Sequence, residues 1–300
     1  MTDTAPAVAR PVIAGTADDD HDTDAARSGF ARFLLYRPGL VLSVVTLVLV
    51  VLAAAWPTLF TARDPLLGVP SEIFAPPSGQ HWFGTDELGR DLFTRVVHGT
   101  ALSLRATVIA VAVAFLVGGA LGLVAGFVGR WVDDVLMRFA DVLLSIPSLF
   151  LSLALVTALG YGTVKVAVAV GVAGVAGFAR VMRAEVLRVR QAVFVEAAWS
   201  SGARWFTVLG RHVLPNSIGP VVVLATLELG TAVLAVSSLS FLGYGAVPPA
   251  PEWGTLISSG RNYLANAWWI STMSGLVVAF VVLATNRIAR ALDGEWERRR

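Results

Sequence analysis

The sequence contains no cysteine, which excludes disulfides, thiolate metal sites and iron–sulfur clusters. Charged residues are scarce as well: they make up 15% of the 300 residues, whereas 56% of the residues are hydrophobic and the mean hydropathy is +0.71. Such a composition excludes an ordinary soluble domain and predicts a multi-pass membrane protein. The formal net charge of +2 is too small to indicate a nucleic-acid partner.

Motifs for nucleotide binding and catalysis are also missing. No GxxxxGK[ST] motif occurs, so the chain cannot hold ATP phosphates through a P-loop. The four histidines are His21, His81, His98 and His212, and they lie in different predicted compartments or far apart. They therefore suggest neither a metal cage nor a catalytic triad, and we predict a non-catalytic protein without a cofactor of its own.

Six apolar segments are long enough to cross a bilayer, since about 20 helical residues span its roughly 30 Å hydrocarbon core. Most arginines flank these segments on one side, which by the positive-inside rule places both termini in the cytoplasm. We predict an all-α membrane protein of six transmembrane helices. Its predicted parts are a disordered cytoplasmic tail at 1–36, a first transmembrane helix at 37–62, an extracytoplasmic segment at 63–99, a core of five transmembrane helices at 100–290 and a cytoplasmic tail at 291–300.

Local sequence signals predict where helices start and stop. Thr85 or Asp86 should cap a helix within the extracytoplasmic segment. Pro147 should kink the third transmembrane helix, because its ring disturbs the helical hydrogen bonds. Pro215 should end a short helix that follows a break at Gly202.

A moderately polar stretch, EAAWSSGARWFTVLGRHVLPN at 196–216, lies between strongly apolar segments. Helical spacing places Phe194 and Ala197 on one face, with Glu196 and Ser200 toward the other. From periodicity alone, this is either an ordinary amphipathic helix on the membrane surface or a docking element for a partner protein.

The amino-acid sequence of this stretch resembles the EAA loop in the membrane subunits of ABC importers. The matching residues are Glu196, Ala197, Ala198, Gly202 and Pro215, with His212 and Leu214 in the same HVLP run. Three further segments resemble the C-type permeases of dipeptide, oligopeptide and nickel importers: HWFGTDELGRD at 81–91, WVDDVLMRFADVLLSIPSLFLSL at 131–153, and SSLSFLGYG with PPAPEWG at 237–254. The chain is therefore identified as a member of this permease family.

The resemblance implies a type I ABC importer permease fold in a bacterial cytoplasmic membrane. It implies that residues 185–216 form a cytoplasmic coupling loop, a helix-turn-helix that enters a cleft of the ATPase. The implied partners are a homologous second permease, two ATP-binding subunits that hold ATP and Mg, an extracytoplasmic substrate-binding protein, and membrane lipid. The implied substrates are short peptides, with nickel chelates or heme as alternatives.

Glu228 is an acidic residue inside the fifth predicted transmembrane segment. A carboxylate there costs roughly 2.5–3.5 kcal/mol on the insertion scale, so Glu228 should face the translocation pathway or the second permease rather than lipid. Alternatively, it is protonated and hydrogen-bonded to a backbone carbonyl or a hydroxyl such as that of Thr226. An ion-coupled secondary transporter is the alternative from another class, but its paired intramembrane acids and inverted repeat are not visible in the sequence.

Overall fold

The computed structural model describes residues 38–298, and side chains are described as far as residue 291. The chain divides into two units, Met1–Val41 and Leu42–Arg300, and the following account concerns the second. The tail predicted at 1–36 lies outside the described residues, as do residues 299 and 300.

The described residues form helices joined by turns, by loops and by a long segment, 56–91, between the first two helices. In chain order these helices are α1 (Pro38–Ala55), α2 (Leu92–Val128), α3 (Arg130–Ser145), α4 (Ser148–Leu159), α5 (Thr163–Arg190), α6 (Val193–Ser200), α7 (Trp205–Phe241), α8 (Trp253–Gly260) and α9 (Trp269–Arg298). Single π-helical turns interrupt α2 at Ala114–Gly118 and α7 at Val208–Val213.

Five of these helices, α1, α2, α5, α7 and α9, are long and apolar enough to cross a membrane. The third predicted transmembrane helix is instead the pair α3 and α4, which bend by 95° and give a sixth crossing only when counted together. The prediction of one kinked helix at Pro147 is therefore corrected to two helices. The reason is that Ile146, as the residue before a proline, takes an extended conformation with φ −96° and ψ 127°.

One predicted boundary differs from the structure at the start of the segment between α1 and α2. The helix predicted to reach residue 62 ends at Ala55, because Pro57 follows and cannot continue the hydrogen-bond ladder. Helix α2 begins at Leu92, inside the segment predicted at 63–99, where the sequence predicted a capped helix. At the other end of the chain, α9 runs through residue 291, the predicted start of the tail, to Arg298.

The cap of α2 is neither Thr85 nor Asp86. The side chain of Asp91 caps α2 by accepting a 2.8 Å hydrogen bond from the backbone N–H of Thr94. Asp86 is buried and paired instead with the guanidinium groups of Arg90 at 2.7 Å and Arg95 at 3.1 Å. A buried carboxylate needs such charged partners. Because the side chain of Asp86 is held by two arginines, it does not cap α2.

The bundle is packed around α5, whose buried face is lined by small residues. Helix α2 passes close to it along a stripe formed by Gly118, Gly122 and Gly126, which lie at successive helical turns. Because glycine has no side chain, the two backbones can approach each other closely there. The short helix α8 is attached to α2 through fully buried Trp253, whose indole N–H donates to the carbonyl of Val96 at 3.2 Å.

Candidate functional site

Helix α6 is the first element of the polar loop. Helix α5 extends to Arg190, so the first six positions of the loop predicted at 185–216 belong to α5, and α6 starts after the link Gln191–Ala192. Val195 is completely buried against apolar residues of α5 and α7, including Val186 and Val208. This burial fixes α6 to the bundle and leaves Glu196 and Ala197 exposed.

Gly202 forms the turn between α6 and α7. Its φ of +78° lies in the left-handed region, which costs other residues free energy but not glycine. The backbone N–H of Gly202 donates to the carbonyl of Trp199 at 2.9 Å, and that of Ala203 donates to Ala198 at 3.1 Å. Since a Cβ at position 202 would meet no atom within 4 Å, the conformation rather than space requires glycine there.

Pro215 does not end a helix, contrary to the sequence prediction. It lies at the start of the Leu214–Phe241 part of α7, where a missing N–H costs least, and it follows the π turn Val208–Val213. The carbonyl of His212 accepts a 2.7 Å hydrogen bond from the side-chain amide of Asn216. The irregular turn and this side-chain bond let one helix continue through the proline.

The other matched residues hold α6 against α7 or lie at the surface. The imidazole of His212 lies 6.5 Å from the ring of Phe194, between centroids, and Leu214 packs on the apolar cluster that buries Val195. Ala198 also contacts that cluster. The structure thus brings all seven predicted coupling residues into one loop and the first turns of α7.

The exposed surface of this loop carries several large apolar side chains. Five large side chains are at least 47% exposed and define what we call the docking face: Val193, Phe194, Trp199, Trp205 and Phe206. Val193 reaches 81% and Trp205 reaches 60%. Clustered exposed apolar side chains of this kind mark interaction sites.

Glu228 lines a cavity of about 100 Å³ between α2, α4, α5 and α7. Its carboxyl group interacts with the hydroxyl of Thr231, and Ser148 and Ser152 also line the cavity. Thr226 does not fill the role predicted for it, because its hydroxyl donates to the carbonyl of Val223 at 2.7 Å. Among the described residues lining the cavity none is basic, so the structure gives Glu228 a polar recess without a counter-charge.

Two ion pairs that the sequence did not reveal connect α3 with α5. Arg183 binds both carboxylate oxygens of Asp133, one of them at 2.6 Å, and Arg180 binds Asp141 at 2.5 Å. The paired residues are 50 and 39 positions apart. Local spacing carries no signal for contacts at such separations.

Comparison with known proteins gives consistent matches. Residues 118–298 match the family described as binding-protein-dependent transport system inner membrane component. The dipeptide transport system permease protein DppC of Alkalihalophilus pseudofirmus is 39% identical over 254 residues, covering 84% of both chains. The probable D,D-dipeptide transport system permease protein DdpC of Escherichia coli is 37% identical over 83% of this chain and 84% of its own. The glutathione transport system permease protein GsiD of Pectobacterium atrosepticum is 39% identical over 72% of each chain.

Solved structures show the same fold at lower sequence identity. An inward-facing MetNI methionine ABC transporter gives a TM-score of 0.50 at 19% identity, covering 66% of this chain and 95% of the other. An amino acid ABC transporter with histidines gives 0.52 at 15% identity, covering 68% and 94%. These likenesses bear on the fold of an ABC transporter permease and on nothing further.

Proposed function

The chain belongs to the family of binding-protein-dependent transport system inner membrane components, and from this premise we propose that it imports short peptides as one permease subunit of a bacterial ABC importer. The observation that supports the peptide substrate is 39% identity over 84% of the chain to a dipeptide transport permease. An ion-coupled secondary transporter, the alternative raised by Glu228, is a different class of protein from this family.

The proposed complex contains a homologous second permease, two ATP-binding subunits and an extracytoplasmic substrate-binding protein. ATP and Mg belong to the ATP-binding subunits, since this chain has no P-loop. The ATP-driven closure of the ATP-binding subunits is transmitted to the permease through the docking face, which lies in a cleft of one ATP-binding subunit. Its exposed aromatic side chains supply apolar contact area, and Val195 transmits the displacement into the bundle.

Glu228 belongs to the translocation pathway in this proposal. An ionised carboxylate in the cavity between α2, α4, α5 and α7 attracts the cationic amino terminus of a passing peptide or a basic group of the second permease. The hydroxyls of Ser148, Ser152 and Thr231 offer hydrogen bonds along the same recess. The cavity is otherwise lined mainly by small apolar residues, which suits a pathway for different side chains.

Transport by the reconstituted complex tests the function. Liposomes containing all subunits should accumulate labelled dialanine only when ATP is present inside, where the ATP-binding subunits face. ATP-independent uptake, or no peptide uptake by a fully assembled complex, would refute the proposal.

Substitution of Gly202 tests coupling through the docking face. Gly202→Asp should abolish peptide-stimulated ATP hydrolysis while leaving membrane insertion intact, because it adds a Cβ and a negative charge at an exposed turn whose φ of +78° favours glycine. Glu196→Lys should have the same effect through reversed charge on the exposed side of α6. Gly79→Asp is the matched control, since it adds the same side chain at an exposed glycine without positive φ, away from the loop. Normal stimulated hydrolysis in assembled Gly202→Asp complexes would contradict the coupling role.

A further inference from the structure

An apolar groove lies between α1, α2 and α9, near the extracytoplasmic ends of α1 and α2. Its volume is about 310 Å³, and it follows α1 from Ala53 to Thr46, about 10 Å at 1.5 Å per residue. Apart from Thr46 and Thr100, its lining consists of valine, leucine, alanine and phenylalanine side chains. Because α1 ends at Ala55 and α2 begins at Leu92, the groove starts at the water interface and runs toward the bilayer centre.

The groove opens at the surface of the chain. Leu49 and Phe280 line it from α1 and α9, and they are 47% and 57% exposed. Helix α1 is attached beside it by Leu47 and Val50, which pack on a buried cluster of α2 and α9. An apolar groove at membrane depth offers water no hydrogen-bond partners, so hydrocarbon is the favoured occupant.

A smaller polar cavity adjoins the groove at the water interface. Its volume is about 210 Å³, and its lining includes Thr61, Arg63, Gln80 and Trp82. Phe60 and Phe93 line both cavities, so the polar cavity lies directly above the apolar groove. The ring of Phe93 also lies 4.9 Å from that of Trp82, between centroids, and Trp82 is 64% exposed. Exposed tryptophan is typical of the level of the lipid headgroups.

Arg63 brings to the polar cavity a positive charge that the protein uses only in part. Its Nη1 donates to Asp91 at 3.1 Å and lies 3.0 Å from the His81 ring, whereas in the described part of the chain its Nε and Nη2 form no hydrogen bond. Asp91 is buried, and its oxygens are already contacted by Arg63, by His81 at 2.7 Å and by the backbone N–H of Thr94 at 2.8 Å. The Arg63 side chain is 50% exposed, so its remaining N–H groups are available to phosphate oxygens.

We propose that the groove and the polar cavity together bind one phospholipid of the extracytoplasmic leaflet. One acyl chain lies in the groove between α1, α2 and α9, and the phosphate accepts hydrogen bonds from Arg63. A phospholipid fits both cavities, because its phosphate lies at the interface directly above its acyl chains. The bound lipid fills the gap beside α1, whichever substrate the complex imports.

Two photoreactive lipids that differ only in the headgroup test the phosphate contact. The probes are a phosphatidylglycerol with a diazirine in one acyl chain and the diacylglycerol with the same chains. Each probe is titrated into the delipidated complex of permeases and ATP-binding subunits in detergent, and labelling of residues 93–100 is quantified by peptide mass spectrometry. Labelling should saturate, and phosphatidylglycerol should reach half-saturation at about tenfold lower concentration, because the diacylglycerol lacks the charge-assisted contact.

Variants assign the two contacts to residues. Arg63→Gln should weaken labelling by phosphatidylglycerol about tenfold and leave labelling by the diacylglycerol unchanged, which also shows that the groove is intact. Arg105→Gln is its control, because Arg105 is exposed and lines neither cavity. Thr46→Phe places a ring in the groove and should weaken labelling by both probes. Val45→Phe adds the same ring at an exposed neighbouring position outside the groove and should weaken neither.

Other outcomes overturn the proposal. Equal half-saturation by the two probes, or undiminished phosphatidylglycerol labelling of Arg63→Gln, would show that the phosphate is not recognised. Labelling that does not saturate, or that Thr46→Phe leaves unchanged, would come from the surrounding bilayer lipid alone. If neither probe labels the wild type and Thr46→Phe loses the second permease on size-exclusion chromatography, the groove is a subunit interface.

Discussion

The contact between α2 and α5 predicts that one glycine substitution is harmful and that a neighbouring one is not. A Cβ added at Gly122 would lie 2.2 Å from the carbonyl oxygen of Ala179 and 2.9 Å from the Cβ of Met182. Both obstacles are backbone or next to it, so no rotamer change relieves the clash. A Cβ added at Gly119 would meet only the terminal methyl of Met182, at 3.7 Å, which is an ordinary contact.

The expected loss of stability follows from how much too close the added Cβ would lie to the carbonyl oxygen of Ala179. Carbon and carbonyl oxygen approach each other to about 3.3 Å, so Gly122→Ala must separate the helices by about 1 Å. Such overpacking costs about 1–3 kcal/mol. The separation also loosens the flanking contacts, where a Cβ at Gly118 would lie 2.4 Å from the oxygen of Val175. Alanine gains up to about 1 kcal/mol in helix propensity at both positions, so this gain cancels when the two variants are compared.

Thermal unfolding of the assembled complex in detergent checks the prediction. Gly122→Ala should be less stable than Gly119→Ala by about 1–3 kcal/mol, seen as a lower midpoint and earlier loss of the complex on size-exclusion chromatography. Gly119→Ala should equal or exceed the wild type. If Gly122→Ala unfolds at the same temperature as Gly119→Ala, the close helix contact does not stabilise the bundle and the reasoning fails.

Three further outcomes are expected. Glu228→Gln keeps a hydrogen-bonding group and loses the charge, so peptide uptake should fall. Wild-type uptake rates by this variant across roughly pH 5 to 8 would remove any role for the charge. Burial raises the pKa of the Glu252 carboxyl, so the folded protein favours the protonated form and its stability should drop as pH rises through that raised value. Glu252→Gln should flatten this loss in thermal unfolding at increasing pH, and an unchanged pH profile would count against it. Single cysteines at Pro248 should react with a membrane-impermeant thiol reagent in intact cells and those at Ser200 should not; the reverse pattern would overturn the orientation.

Hydropathy was sufficient to locate most membrane helices, because a helix in lipid must satisfy its backbone internally and reads as a long apolar run. The break at Gly202 was also predictable, since its surroundings are polar and the residue tolerates positive φ. These features depend on local sequence alone. They required no knowledge of what packs against them.

Features that depend on contacts in the folded structure were not predictable from local sequence in the same way. Asp86 and Asp91 are equally suitable caps by residue type, and the choice depends on Arg95, which lies in the first turn of α2 and binds Asp86 in the segment before that helix. Pro215 carries the same local signal as Pro147, yet one is accommodated in a continuous helix and the other lies at a 95° bend. The π turn before Pro215 makes that difference, and single-sequence patterns do not reveal where such turns form.

The arrangement of unbroken and broken helices indicates how a displacement of the docking face reaches the Glu228 cavity. Helices α5 and α7 each continue from the loop to that cavity without a break like the one at Pro147, although a π turn interrupts α7 near its start, and Val195 fixes α6 between them. The ion pairs of Asp133 and Asp141 attach α3 to α5, so α3 should follow when α5 moves. Helix α4, which lines the cavity through Ser148 and Ser152, is joined to α3 only through the bend at Pro147. Since helices move largely as rigid bodies and breaks absorb rotation, we expect the cavity to change shape mainly between α4 and the pair α5 and α7.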